Sequence, residues 1–133
     1  MMRTFLLLVL LSGSTTSVSA DFVLVDIAAG IEPAPIVVFP DAPPKTREAA
    51  IELADYLERI CGARPQLIHS TPEQLPQRAI WVGYQHSLDT LFPDVDFKFD
   101  HPEEILIAAS EQHLVIAGRD RWDPEHLTVD GID

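Results

Sequence analysis

Residues 45–62 read KTREAAIELADYLERICG, the one segment of this chain with an unambiguous helical period. Ala50, Leu53, Ala54, Leu57, Ile60 and Cys61 recur at steps of three and four and line one face, while Arg47, Glu48, Glu52, Asp55 and Arg59 take the other. The segment reads as one amphipathic helix of about four turns. Pro43 and Pro44 suit its entry, Thr46 is placed to cap the first free amides, and Glu48 to meet the positive end of the dipole. Gly62 permits a left-handed stop, and Asp55 with Arg59 forms an i,i+4 surface pair.

Working outward, two strand candidates flank this helix. Ile36-Val37-Val38-Phe39, closed by Pro40, precedes it, and Pro65-Gln66-Leu67-Ile68 follows. Strand, helix, strand at this spacing is a crossover unit, right-handed, with the two strands parallel. Further upstream, residues 21–29, DFVLVDIAA, alternate loosely and predict a first strand ended by Gly30. Downstream, residues 70–77 hold two prolines and no apolar period, so they connect. Residues 79–84, AIWVGY, are the next buried strand, with Gly83 at its end. Ser87 before Leu88 and Leu91-Phe92 suggests a single helical turn, followed by the alternating DVDFKFD. Two apolar runs, 105–109 and 114–117, separated by Ser110-Glu111-Gln112-His113, predict an antiparallel hairpin with a four-residue loop. Residues 118–133 carry no usable period and read as an irregular tail. The fold class is therefore α/β (α+β), a mixed sheet of about five to six strands with one main helix on one face, ending in a hairpin.

The N-terminus is of a different kind. Arg3, the apolar run 5–11 and a small polar tract ending Val18-Ser19-Ala20 fit a secretory signal cleaved after Ala20. Seven apolar residues are too few for a membrane span, which needs about twenty. The expected organisation is a signal peptide at 1–20, a domain at 21–120 and a tail at 121–133. The protein is then secreted or periplasmic. Of nine basic residues, Arg3 leaves with the signal, so eight face 21 acidic ones for a net charge of −13. That balance repels nucleic-acid phosphates and anionic membranes. Cys61 is the only cysteine and lies on the apolar helix face, so it reads as a small buried hydrophobe.

The sheet asks for more cover than this sequence visibly supplies. Five or six strands at about 4.8 Å span roughly 20 Å or more, and one helix is about 10 Å wide. Yet the runs at 36–39, 80–82, 105–109 and 114–117 are apolar on both faces. The chain as given reads as incomplete.

Taken together, IVVFPDAPPKTREAAIELADYLERICGARPQLI (36–68), AIWVG (79–83), ILIAA (105–109) and LVIAGRD (114–120) form a pattern. It resembles the N-terminal accessory domain of exported multidomain glycoside hydrolases, shared by α-glucuronidases and β-N-acetylhexosaminidase-like enzymes. The resemblance covers about 36–120 and rests on the helix EAA-x-EL-x-x-YL-x-x-x-x-G, the strand I-x-VG and the closing VIAGRD. It implies a second helix opening near G-T-x-x-A-V-Y and then a catalytic (β/α)8 barrel, neither of which residues 1–133 contain. The implied role is that of a non-catalytic domain packed against that barrel.

Residue chemistry is consistent with a chain that does not itself catalyse. Glycoside hydrolysis needs two carboxyl groups held several ångströms apart on a rigid scaffold. Asp94, Asp96 and Asp100 cluster on a segment with no assigned scaffold and read as solvated. As a calcium loop the segment fails, since Lys98 takes the fifth position and no glycine follows. His101, Glu103, Glu104 and His113 flank the hairpin without zinc-ligand spacing, and His126 with Asp123 and Glu125 is no better. No GxSxG elbow, phosphate loop or HExxH helix occurs. No catalytic, metal or cofactor residue is assigned.

Two tryptophans could serve as sugar platforms. Trp81, between Ile80 and Val82, reads as core or domain-interface packing, whereas Trp122 sits in the polar RDRWDPEH. Trp122, with Arg119 and Asp120, is the candidate contact to a sugar or to the neighbouring domain. The alternative function is a stand-alone carbohydrate-binding module using Trp122, with a polysaccharide as partner. An uncovered sheet face also predicts self-association.

Overall fold

A computed structural model describes residues 21–70 and 73–119. The expected signal peptide and the tail from Asp120 onward, Trp122 included, lie outside the described residues. The elements run β1 (Ile36–Val38), α1 (Pro44–Cys61), β2 (Leu67–Ile68), β3 (Ala79–Val82), α2 (Ser87–Leu91), β4 (Ile105–Ala109) and β5 (His113–Gly118). The five strands form one sheet in the order β2-β1-β3-β5-β4. β2, β1, β3 and β5 are mutually parallel, and β4 is an antiparallel edge against β5. This is the mixed sheet with one main helix that the periodicities imply.

Each face of the sheet has its own core. Ile36, Val38, Ile80 and Val82 point to the first face and meet Ala50, Ala54 and Leu57 of α1. The alanines matter because small side chains let the helix backbone settle close to β1. Val37, Ala79, Trp81, Val115 and Ala117 point to the second face, where Leu88, Phe92 and Phe97 close over them. The expectation of an uncovered sheet is therefore corrected for this face. Residues 84–99 cover it with the single-turn α2 and an otherwise irregular run, supplying Leu88, Leu91, Phe92, Val95, Phe97 and Phe99.

Several local expectations need correction. Residues 21–29 form no strand; Asp26 and Ile31 make a single antiparallel bridge around Gly30, whose φ is +75°. The alternating DVDFKFD, given no element by its pattern, stays irregular, with Phe97 in the second core. Pro43, not Thr46, occupies the N-cap position of α1; Thr46 lies inside the first turn of the helix and is buried. Glu48 lies a turn inside the helix and pairs with Lys45 at 2.6 Å, so no acidic residue sits in the first turn. Asp55 pairs with Arg64, not Arg59, whose guanidinium lies 5.6 Å from the ring centre of Tyr56. Ile60, assigned to the apolar face, is 78% exposed.

Two turns follow the sequence closely. Gly62 adopts φ +76° and its N–H donates to the Glu58 carbonyl at 2.8 Å, the left-handed helix stop. The β4–β5 connection is three residues, one fewer than expected, because His113 joins β5 opposite Ala79. Its turn is fastened by the Ser110 amide donating to the His113 carbonyl at 2.8 Å and the His113 amide donating to Ser110 Oγ at 3.1 Å.

Candidate functional site

On the first face, α1 packs against β1, β2 and β3, and of β5 and β4 only Leu114 reaches that core. The strand alternation decides what is left there. Leu106 and Ala108 turn toward the second core, so Ile105 and Ile107 turn the other way, where they are 71% and 69% exposed. Register places Ile107 beside Ile116 and Ala109 beside Leu114, extending the apolar strip onto β5. Leu53, Tyr56 and Ile60 share one flank of α1 by their spacing of three and four. The right-handed hand of a β1–α1–β2 crossover turns that flank toward β3 and β5. The strip and the flank together form a shelf: an apolar floor from β4 and β5, and a wall carrying Leu53, Tyr56 and Ile60. Tyr56, like Ile60, is largely exposed.

The sequence predicts an uncovered apolar face but not that the exposure narrows to the β4 side of the sheet, for a physical reason. ILIAA looks apolar on both faces, but only the alternate positions 106 and 108 are drawn into a core, and the small Ala108 and Ala109 demand little cover. An edge strand carrying a pair of isoleucines at i and i+2 was the available signal.

The carboxylates are spent locally. Asp96 accepts the Lys98 amide at 3.0 Å, Glu104 accepts the Asp100 amide at 2.9 Å, and Asp89 accepts the Tyr84 hydroxyl at 2.9 Å. Asp94, Asp96, Asp100, His101, Glu103 and Glu104 are all exposed. No group of three His, Cys, Asp or Glu among the described residues could hold a metal ion. His113 does not join His101 or the glutamates; it is buried, and its Nδ1 accepts the Trp81 Nε1–H at 3.2 Å. Trp81 is fully buried, so it offers no face to a sugar. Arg119 is exposed at the end of the described chain, and Asp120 and Trp122, its expected companions, lie outside the described residues.

The crevice that open α/β sheets use for ligands lies outside the carboxyl ends of the strands where their connections diverge. Here that place is between β1 and β3, and it is filled. A Cβ on Gly83 would lie 2.7 Å from the Phe39 ring and 3.2 Å from the Thr46 methyl. Beside it remains only an open hollow lined by Pro40, Asp41, Ala42, Pro44 and Arg47. Gln85 is buried with both side-chain amide atoms unpaired, but both are sealed from solvent and present nothing to a ligand. The apolar shelf on β4 and β5 is thus the surface most unlike an ordinary solvated exterior. No family model, no curated protein and no solved structure matches this chain.

Proposed function

We propose that this chain is a non-catalytic accessory domain of a secreted carbohydrate-active protein, which packs through the β4–β5 shelf against a glycoside hydrolase barrel that residues 1–133 do not contain. The observation that carries the reading is the exposure of Ile105 and Ile107 beside a half-covered first face. Contiguous apolar surface of this kind on a chain with a formal charge of −12 is a surface for another folded unit rather than for water. The resemblance of 36–120 to accessory domains supplies the identity of that unit. The local engagement of the acidic side chains supports a packing role for this region over hydrolysis.

Two measurements test this. Purified protein is expected to leave aryl glycosides of glucuronic acid and N-acetylglucosamine intact; turnover lost on substitution of Asp94, Asp96, Asp100 or Glu104 overturns the reading. A separately expressed barrel from a secreted α-glucuronidase or hexosaminidase-like enzyme is expected to bind the chain on a sizing column, and Ile107→Glu to abolish that complex. Binding that survives Ile107→Glu removes the shelf from the interface.

A further inference from the structure

Trp81 and His113 do more than fill space in the second core. Their strands are neighbours, with Ala79 opposite His113 and Trp81 opposite Val115. Both side chains point to the second face, where the rings lie 6.0 Å apart at 57°. The indole can only donate, so the imidazole nitrogen it meets must carry a free lone pair. That fixes His113 as neutral, with its proton on Nε2. The backbone of the same residue holds the β4–β5 turn through Ser110. One residue therefore ties the hairpin to β3 by its side chain and ties the hairpin to itself by its main chain.

We propose that the Trp81–His113 pair is an acid-sensitive latch, which fastens the β4–β5 hairpin to β3 while the imidazole is neutral and releases it when Nδ1 takes a proton. Protonation at Nδ1 removes the acceptor the indole uses and leaves two donors facing each other. It also places a cation in the margin of an apolar cluster formed by Ala79, Trp81, Phe92, Phe97 and Val115. Among the described residues no ion pair compensates it. Just before β3, Arg78 is turned away, donating to the Val23 and Glu32 carbonyls. In the turn, Glu111 is exposed, and along 84–99 Asp89, Asp94, Asp96 and Lys98 are exposed as well. Among the described residues none of these forms an ion pair with His113. Burial alone lowers its pKa below the ordinary histidine value of 6.5.

The sign follows from linkage. The unfolded chain takes the proton at about 6.5, the folded chain only at lower pH. The latch thus contributes its full stability above about pH 6.5 and loses it progressively as pH falls to the lowered folded value. His69, His86 and His101 are exposed and sit outside this core.

The test follows the Trp81 indole N–H by NMR across pH 8 to 4.5, with Trp122→Phe identifying the second indole signal. The Trp81 signal is expected to move in one step with a midpoint below 6.5, and its exchange with solvent to quicken on the acid side. In His113→Gln, whose amide oxygen offers an acceptor that does not titrate, the step is expected to vanish, and the fall in urea midpoint between pH 7 and pH 5 to be smaller than in the parent. Should His113→Gln not fold, Trp81→Phe serves: losing the donor removes support from the neutral ring, so the His113 midpoint is expected to rise. A midpoint at or above 6.5 in the parent overturns the proposal. So does an indole signal that stays fixed, an acid response identical in His113→Gln, or a His113 midpoint unmoved by Trp81→Phe.

Discussion

β1 and β4 are both short, apolar and β-branched, IVV against ILIAA, yet they end in opposite surroundings. β1 lies second in the sheet, with strands on both sides, α1 above it and the 84–99 segment below, and all three of its residues are completely buried. β4 lies at the edge, is covered on the second face only, and shows Ile105 and Ile107 to solvent. Hydrophobic composition is thus a demand for cover, and the strand's place in the sheet decides whether the demand is met. The two faces teach the same point. A long regular helix covers β1, whereas the short α2 and an irregular run of apolar side chains cover Trp81, since burial requires apolar volume and no particular backbone shape.

The strongest way to break this comparison is to remove volume from the satisfied side. Trp81→Ala is expected to cost about 3–5 kcal/mol, much of the stability of a small domain, so the chain should be largely unfolded by circular dichroism at 37 °C. A cooperative melt close to that of the parent would mean that the second core is not closed as described. Next comes the junction between the faces. Gly83→Ala places a side chain at φ +82° and against Phe39, with an expected loss of about 1–3 kcal/mol read from the urea midpoint.

On the unsatisfied side the expectation reverses. Ile105→Glu with Ile107→Glu should leave stability within about 0.5 kcal/mol, because neither side chain is in a core. The parent should bind a hydrophobic dye such as ANS and form oligomers on a sizing column, and the double variant should do both less. A parent that is a clean monomer without dye binding would remove the contrast between the two edges. The smallest effect belongs to the surface: Arg64→Gln breaks contacts with Asp55 and Glu58, yet it should leave the melting midpoint unchanged within error, since all three groups are substantially solvated.

Much of this was legible in the chain itself. The period of 45–62, the αL position at Gly62 and the β-branched runs at 36–38, 79–82, 105–109 and 114–117 fix local backbone preference, and local preference is what sequence spacing records. The parallel crossover follows too, because a strand, a helix and a strand at that spacing have few ways to pack. Of the candidate contact Arg119, Asp120 and Trp122, only Arg119 lies among the described residues, where it is exposed.

Tertiary structure alone decided the rest. That Trp81 meets His113, thirty-two positions apart in sequence, depends on β5 pairing with β3, a register no local pattern encodes. That Phe97 is core depends on the second face closing over it, where its ring meets Tyr84 and Phe92. That Ile107 is left in solvent while Val37 is sealed depends on the order β2-β1-β3-β5-β4, which places one strand at the edge and the other inside. Sequence determines which side chains must avoid water, through transfer free energies that each residue carries with it. Which of them succeed is settled by long-range pairing, because cover is supplied by residues distant in the chain.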